Sequence, residues 1–174
     1  AGLVAHAMVF HWIYVATVHY GHAPAAMGVV AAFGLGLYPA LFFGLFGAAW
    51  SVLARARLDS PLAVAAVWIA LEHARSFVAT GMPWALIGYT QHANAPLVAW
   101  APFTGVWGLG FVVVAVGATL ARAFALRRVD ATFGVALAAL AALLGAGALD
   151  LARDPGQPPE TVRVGVLQGN VDQD

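Results

Sequence analysis

Glu72 and Arg75 stand three residues apart inside an apolar run, LEHARSFVATGMPWALIGYTQ (71–91), and are the side chains of this chain best able to do chemistry. Lipid cannot solvate an ion, so charges in such a run must face protein, water or each other, and intramembrane ionisable residues are functional candidates by default. Positions i and i+3 share a helix face, so the two can pair. The pair is either structural glue between helices or part of a substrate site. The residues that follow, Trp84, Tyr89 and Gln91, are uncharged and polar-tipped, able to shape a lipid-accessible site or to sit in an interfacial belt. Six histidines offer a third chemistry. His6, His11, His19 and His22 crowd the first apolar span and its loop, but no spacing among them repeats a ligand motif. The chain has no Cys, hence no thiolate metal site, disulfide framework or thiol nucleophile.

The elements that position these residues are membrane helices. The chain of 174 residues is 62% hydrophobic and 9% charged with a mean hydropathy of +0.84, whereas an average soluble domain has about 25% charged residues. Zero net charge, no Lys and scattered Arg leave no basic stripe for a nucleic acid. A span needs about 20 mainly apolar residues, and five stretches qualify: 3–19, 25–53, 62–79, 104–124 and 132–149. The second contains Pro39 and is expected to kink there. Arg55 and Arg57 share one short loop, and Arg122, Arg127 and Arg128 gather two spans later, while the loops between carry His but no Lys or Arg. By the positive-inside rule the Arg loops are cytoplasmic, which places the 80–102 loop and the segment after residue 149 outside. Trp50 on one side, with Trp84 and Trp100 on the other, fits interfacial belts.

After residue 149 the character changes. DLARDPGQPPE (150–160) reads as an extended linker leaving the membrane, and Val162, Val164 and Val166 alternate with other residues in the period-two pattern of a strand. One strand cannot stand alone, so 161–174 reads as the start of a second, soluble domain. The start on Ala1, without a signal peptide pattern, adds to the expectation of a piece of a longer protein.

In order along the chain, HWIYVATVHYG (11–21), LYPALFFGLF (37–46), the 71–91 run, APLVAWAPFTGVWGLGF (95–111) and VRVGVLQGNVDQ (162–173) resemble segments of bacterial apolipoprotein N-acyltransferases. The most specific parts are T-G-x-P-W-x-x-x-G-Y-[ST]-Q at 80–91 and V-x-x-x-Q-G-N at 164–170. The family usually has Trp-Leu-Arg-Gly where this chain has His73, Ala74, Arg75 and Ser76, and Phe in place of Met82. The resemblance implies an all-α polytopic membrane domain followed by the truncated start of an α/β nitrilase-like (αββα) domain on the periplasmic side of the bacterial inner membrane. It implies no cofactor or metal. It further implies transfer of an acyl chain from a phospholipid to the N-terminal diacylglyceryl cysteine of an apolipoprotein, through a thioester on a Cys assisted by Glu and Lys. Those three catalytic residues would lie beyond this chain, which alone is expected to be inactive. Tyr14, His19, Glu72, Arg75, Trp84, Tyr89 and Gln91 are the positions the resemblance suggests for the substrate vestibule. Two other classes compete: a transporter with a midplane Glu/Arg site, which expects inverted repeats not visible here, and a His-ligated haem or metal protein.

Overall fold

A computed structural model describes residues 2–153 and 164–166. α1 (Gly2–Val9) and α2 (His11–Val15), the latter running on as a π-helical turn Ala16–Tyr20, form a pair bent by 48°. Phe10 sits at the bend with non-helical φ and ψ of −99° and 13° and is almost fully buried. The bend turns this ring into the protein, against His6 and Trp84.

α3 (Ala25–Arg55) follows a turn ending at Pro24, with Pro39 buried in its middle. At 1.5 Å per residue, its 31 residues reach about 46 Å. α4 (Pro61–Arg75) begins on a two-part start signal: the Ser60 hydroxyl accepts from the Ala63 N–H at 3.2 Å, and Pro61 occupies the first turn, where no N–H is needed. α6 (Ala101–Leu126) and α7 (Ala131–Leu151) are joined by a short turn in which Asp130 caps α7 by accepting from the Phe133 N–H at 3.1 Å. Between α4 and α6 lie two 3-10 turns, Val78–Thr80 and Ile87–Gln91, and the short helix α5 (Ala95–Val98).

Neighbours in space follow this order loosely. α1 and α2 pack on α3, α3 on α4, α4 most extensively on α6, and α7 on α5 more than on α6. The Ile87–Gln91 turn folds back onto α6. Aromatic rings fill the α3–α4 seam, where Trp68 meets Phe43 and Phe46 edge-on at 4.8 and 4.9 Å. Apolar side chains also cover the outside: Phe103, Phe124 and Leu149 point outward, as a lipid-facing surface requires and a water-facing one would not.

Among the described residues three helices, α3, α6 and α7, are long and apolar enough to cross a membrane, and a fourth span exists if the bent α1–α2 pair counts as one. The expected 62–79 span is shorter in the structure: α4 has 15 residues, about 22 Å, and stops at Arg75. The chain then turns through Ala79, Thr80 and Gly81, all with positive φ. At Gly81, with φ of +80°, an added Cβ would meet the Ser76 carbonyl oxygen at 2.1 Å, so this turn needs glycine. The expected strand at 161–174 lies outside the described residues except for Val164, Gly165 and Val166, which have no regular secondary structure and are exposed.

Candidate functional site

The last turn of α4 carries the site. Glu72 and Arg75 are both buried, at 5% and 3% exposure, and their side chains face each other with Arg75 Nη2 3.8 Å from Glu72 Oε1. That separation is too long for a hydrogen bond. Each charge instead finds its close partner in the following loop: Arg75 Nη1 donates to the Trp84 carbonyl at 3.0 Å, and Glu72 Oε1 accepts from the Ile87 N–H at 3.0 Å. Bonds of this kind, with one partner ionised, are the strong ones. The pair is therefore a two-point clamp on the backbone of 84–87.

Two further bonds hold the same loop. The Met82 N–H donates to the Arg75 carbonyl at 2.9 Å. The Tyr38 hydroxyl, on α3, lies 2.6 Å from the Val78 carbonyl and 3.1 Å from that of Arg75, and its single proton serves the nearer. The clamped stretch includes Ala79, Thr80 and Ala85 at positive φ, a backbone state that non-glycine residues hold only when their surroundings impose it.

The clamp forms one wall of a cavity of about 600 Å³ between α1, α3, α4 and the loop, within the size range of small-molecule sites. Its other walls are mostly apolar, Phe42, Phe43, Phe46 and Leu86 among them, with His6, Tyr89, Thr90 and His92 as the polar exceptions. Trp68 lines it too, one helical turn before Glu72, and its buried indole N–H faces the Glu72 carboxylate without closing a short hydrogen bond among the described residues. The cavity thus combines an apolar body with a buried carboxylate, a guanidinium and an indole N–H that faces the carboxylate.

Of the residues singled out in the sequence, Glu72, Arg75 and Tyr89 line this cavity. Trp84 does not line it but sets its ring at a tilt against Trp12 at 5.5 Å and Phe10 at 6.3 Å, while its carbonyl holds Arg75. Gln91 turns its amide to Thr90 and Asn94, stiffening the loop from behind. Tyr14 packs against α3 near Gly28, and His19 is exposed on the π-helical turn; neither is among the cavity residues. The sequence reading missed Tyr38 and Trp68, and it considered His6 only as a metal or haem ligand. His6 is buried, donates from Nδ1 to the Gly2 carbonyl at 2.9 Å, and lines the cavity beside Phe43. His73, where the family pattern has Trp, keeps an aromatic packing place, edge-on to Trp107 at 5.1 Å and to Phe77 at 5.4 Å. Among the described residues no three His, Cys, Asp or Glu side chains converge, so the histidines that crowd the first span do not gather into a ligand set.

The family described as the apolipoprotein N-acyltransferase N-terminal domain matches residues 1–119. The chain belongs to the apolipoprotein N-acyltransferase family. It is 33% identical to the apolipoprotein N-acyltransferase of Geobacter metallireducens over 184 residues, covering 99% of this chain and 34% of that protein. It is 36% identical to a putative apolipoprotein N-acyltransferase of Bordetella parapertussis, over 94% of this chain and 33% of that one, and 38% identical to the apolipoprotein N-acyltransferase of Azotobacter vinelandii, over 93% and 32%. The chain thus spans about a third of the length of the curated relatives it matches. In apolipoprotein N-acyltransferase terms the whole clamp, residues 72–91, falls inside the matched N-terminal domain.

Proposed function

We propose that this chain is the membrane part of an apolipoprotein N-acyltransferase that moves an acyl chain from a phospholipid to the N-terminal diacylglyceryl cysteine of lipoproteins. The observation that carries the proposal is the apolar cavity walled by the Glu72–Arg75 clamp, in a chain that belongs to this family. In this reading the chemistry needs residues outside these 174, because the chain has neither Cys nor Lys. A thiolate attacks the phospholipid ester carbonyl and expels the lysophospholipid alcohol; the lipoprotein amine then attacks the thioester, expels the thiolate and yields the amide. The role of the present residues is reception. The cavity holds apolar tail, the Trp68 N–H offers a bond to an ester carbonyl, and the clamp keeps the loop at 80–91 in the strained shape that closes the cavity.

The same reading puts the protein in the bacterial inner membrane, with the Arg55/Arg57 and Arg127/Arg128 loops cytoplasmic, 150–160 a periplasmic linker and 161–174 the first strand of a nitrilase-like domain. The test uses the full-length protein given radiolabelled phospholipid. A hydroxylamine-sensitive acyl adduct is expected, and its accumulation is expected to fall by up to about tenfold in Trp68→Phe, which keeps an aromatic side chain and removes one hydrogen bond worth about 0.5–1.5 kcal/mol. Absence of any such adduct in the wild-type protein refutes the acyltransferase reading.

A further inference from the structure

A second cavity lies at the other end of the bundle, and it is independent of the acyl-transfer reading. α7 is held at one end by α5, where the Trp100 indole donates to the Leu143 carbonyl at 3.0 Å. Toward its start, α7 and α6 enclose, with the beginning of α4, a groove of about 640 Å³. Its walls are apolar, with Val112, Val116, Val135, Ala136 and Leu140 among them, and its few polar residues, Ser60, Thr119 and Thr132, lie at the end where α4 and α7 begin and α6 finishes.

That end is also where positive charge collects. Arg55 and Arg57 precede Ser60, Arg122 lies three residues past Thr119, and Arg127 and Arg128 form the α6–α7 turn; against these five stand Asp59 and Asp130. Arg122 is engaged by Asp130 at 3.8 Å. Among the described residues Arg127 and Arg128 form no ion pair, and both are exposed, Arg127 in a left-handed conformation with φ of 50°. An apolar groove whose polar end adjoins the α6–α7 turn, with its exposed Arg127 and Arg128, matches a molecule with an acyl tail and an anionic head. A polypeptide helix would fill the apolar part and leave these cations without a partner.

We propose that the α6–α7 groove binds an anionic phospholipid of the leaflet on the arginine side, one acyl chain lying along α6 and α7 and the phosphate resting on Arg127 and Arg128. The hydroxyls of Ser60 and Thr119 in its wall are engaged with backbone and have no base beside them among the described lining residues, so the lipid is bound and not consumed. Its function is to fill the space between two helices that otherwise meet mainly through α5.

The test is lipid retention by the full-length protein, reconstituted in phosphatidylcholine nanodiscs containing a minor fraction of dioleoylphosphatidylglycerol, re-solubilised in neutral detergent and weighed by native mass spectrometry. Phosphatidylglycerol is expected to be retained over phosphatidylcholine. Arg127→Gln/Arg128→Gln is expected to lower that retention about thirtyfold, and Ala136→Phe, which occupies the groove, to lower retention of both lipids. Arg153→Gln, at the far end of α7, should change nothing. The arginines are exposed, so their replacement leaves folding intact. A photo-crosslinking side chain at Val135 should capture lipid. Equal retention of the two lipids by the wild-type protein, unchanged retention in the arginine variant, or capture of a polypeptide segment at Val135 overturns the proposal.

Discussion

Glu72 and Arg75 illustrate why a buried ion pair is defined by its other partners. The two charges are 3.8 Å apart and each spends its best bond on loop backbone. Removing one leaves the other uncompensated where water cannot reach, at a cost on the order of 3 kcal/mol. Glu72→Gln and Arg75→Gln are therefore each expected to lower the Tm of the purified full-length protein by several degrees. Glu72→Gln/Arg75→Gln should be more stable than Arg75→Gln alone, because the amide at 72 can still accept from Ile87 and no buried charge remains. A double variant whose loss equals the sum of the singles would show that the two act separately.

The helices were legible in the sequence to the extent that hydropathy decides them. α3, α6 and α7 fall within a few residues of the expected stretches, because each is a long apolar run, and α7 also has a capping residue in Asp130. The first and third expected spans differ for a reason that hydropathy does not carry. Phe10 breaks one by turning inward, and the clamp ends the other at Arg75 by drawing the backbone of 82–87 back toward α4. The same holds for the site. Two charges in an apolar run announced themselves, and so did the T-G-x-P-W segment. Tyr38 and Trp68 did not, since a lone Tyr or Trp in a membrane helix looks the same whether its polar tip meets a loop carbonyl, a cavity or nothing. The packing of α5 on α7 was equally hidden. At Gly147 an added Cβ would lie 1.9 Å from the Pro96 carbonyl oxygen, whereas nothing lies within 4 Å at Gly145. Gly147→Val is expected to cost about 2 kcal/mol through forced separation of the two helices, and Gly145→Val less than about 0.5 kcal/mol. The comparison of their unfolding temperatures isolates this one contact.

At the scale of the molecule, the two ends of the bundle have different characters: one holds a clamped, aromatic, uncharged loop, the other the arginine turns. The cysteine-free chain makes orientation easy to measure. In intact spheroplasts Gln91→Cys is expected to react with a membrane-impermeant thiol reagent, while Arg57→Cys and Arg128→Cys stay unlabelled until the membrane is opened. The reverse pattern would turn the protein over and, with it, the side from which substrate is received.

The disparity between α3 and α4 bears on the bilayer itself. A helix of 31 residues stands beside one of 15, so the protein presents two hydrophobic heights to a hydrocarbon layer of about 30 Å. Lipids next to the tall helix must stretch or let it tilt, and those next to the short one must compress, each at a fraction of a kcal/mol per Å of mismatch. The clamped loop ends α4 on the side where the 600 Å³ cavity lies, so tails there are expected to shorten and tilt. Bilayer thickness thereby becomes a control variable. In vesicles of increasing chain length the depression deepens and its energy rises, and the thermal stability of the reconstituted protein is expected to pass through a maximum in thin membranes, not in thick ones.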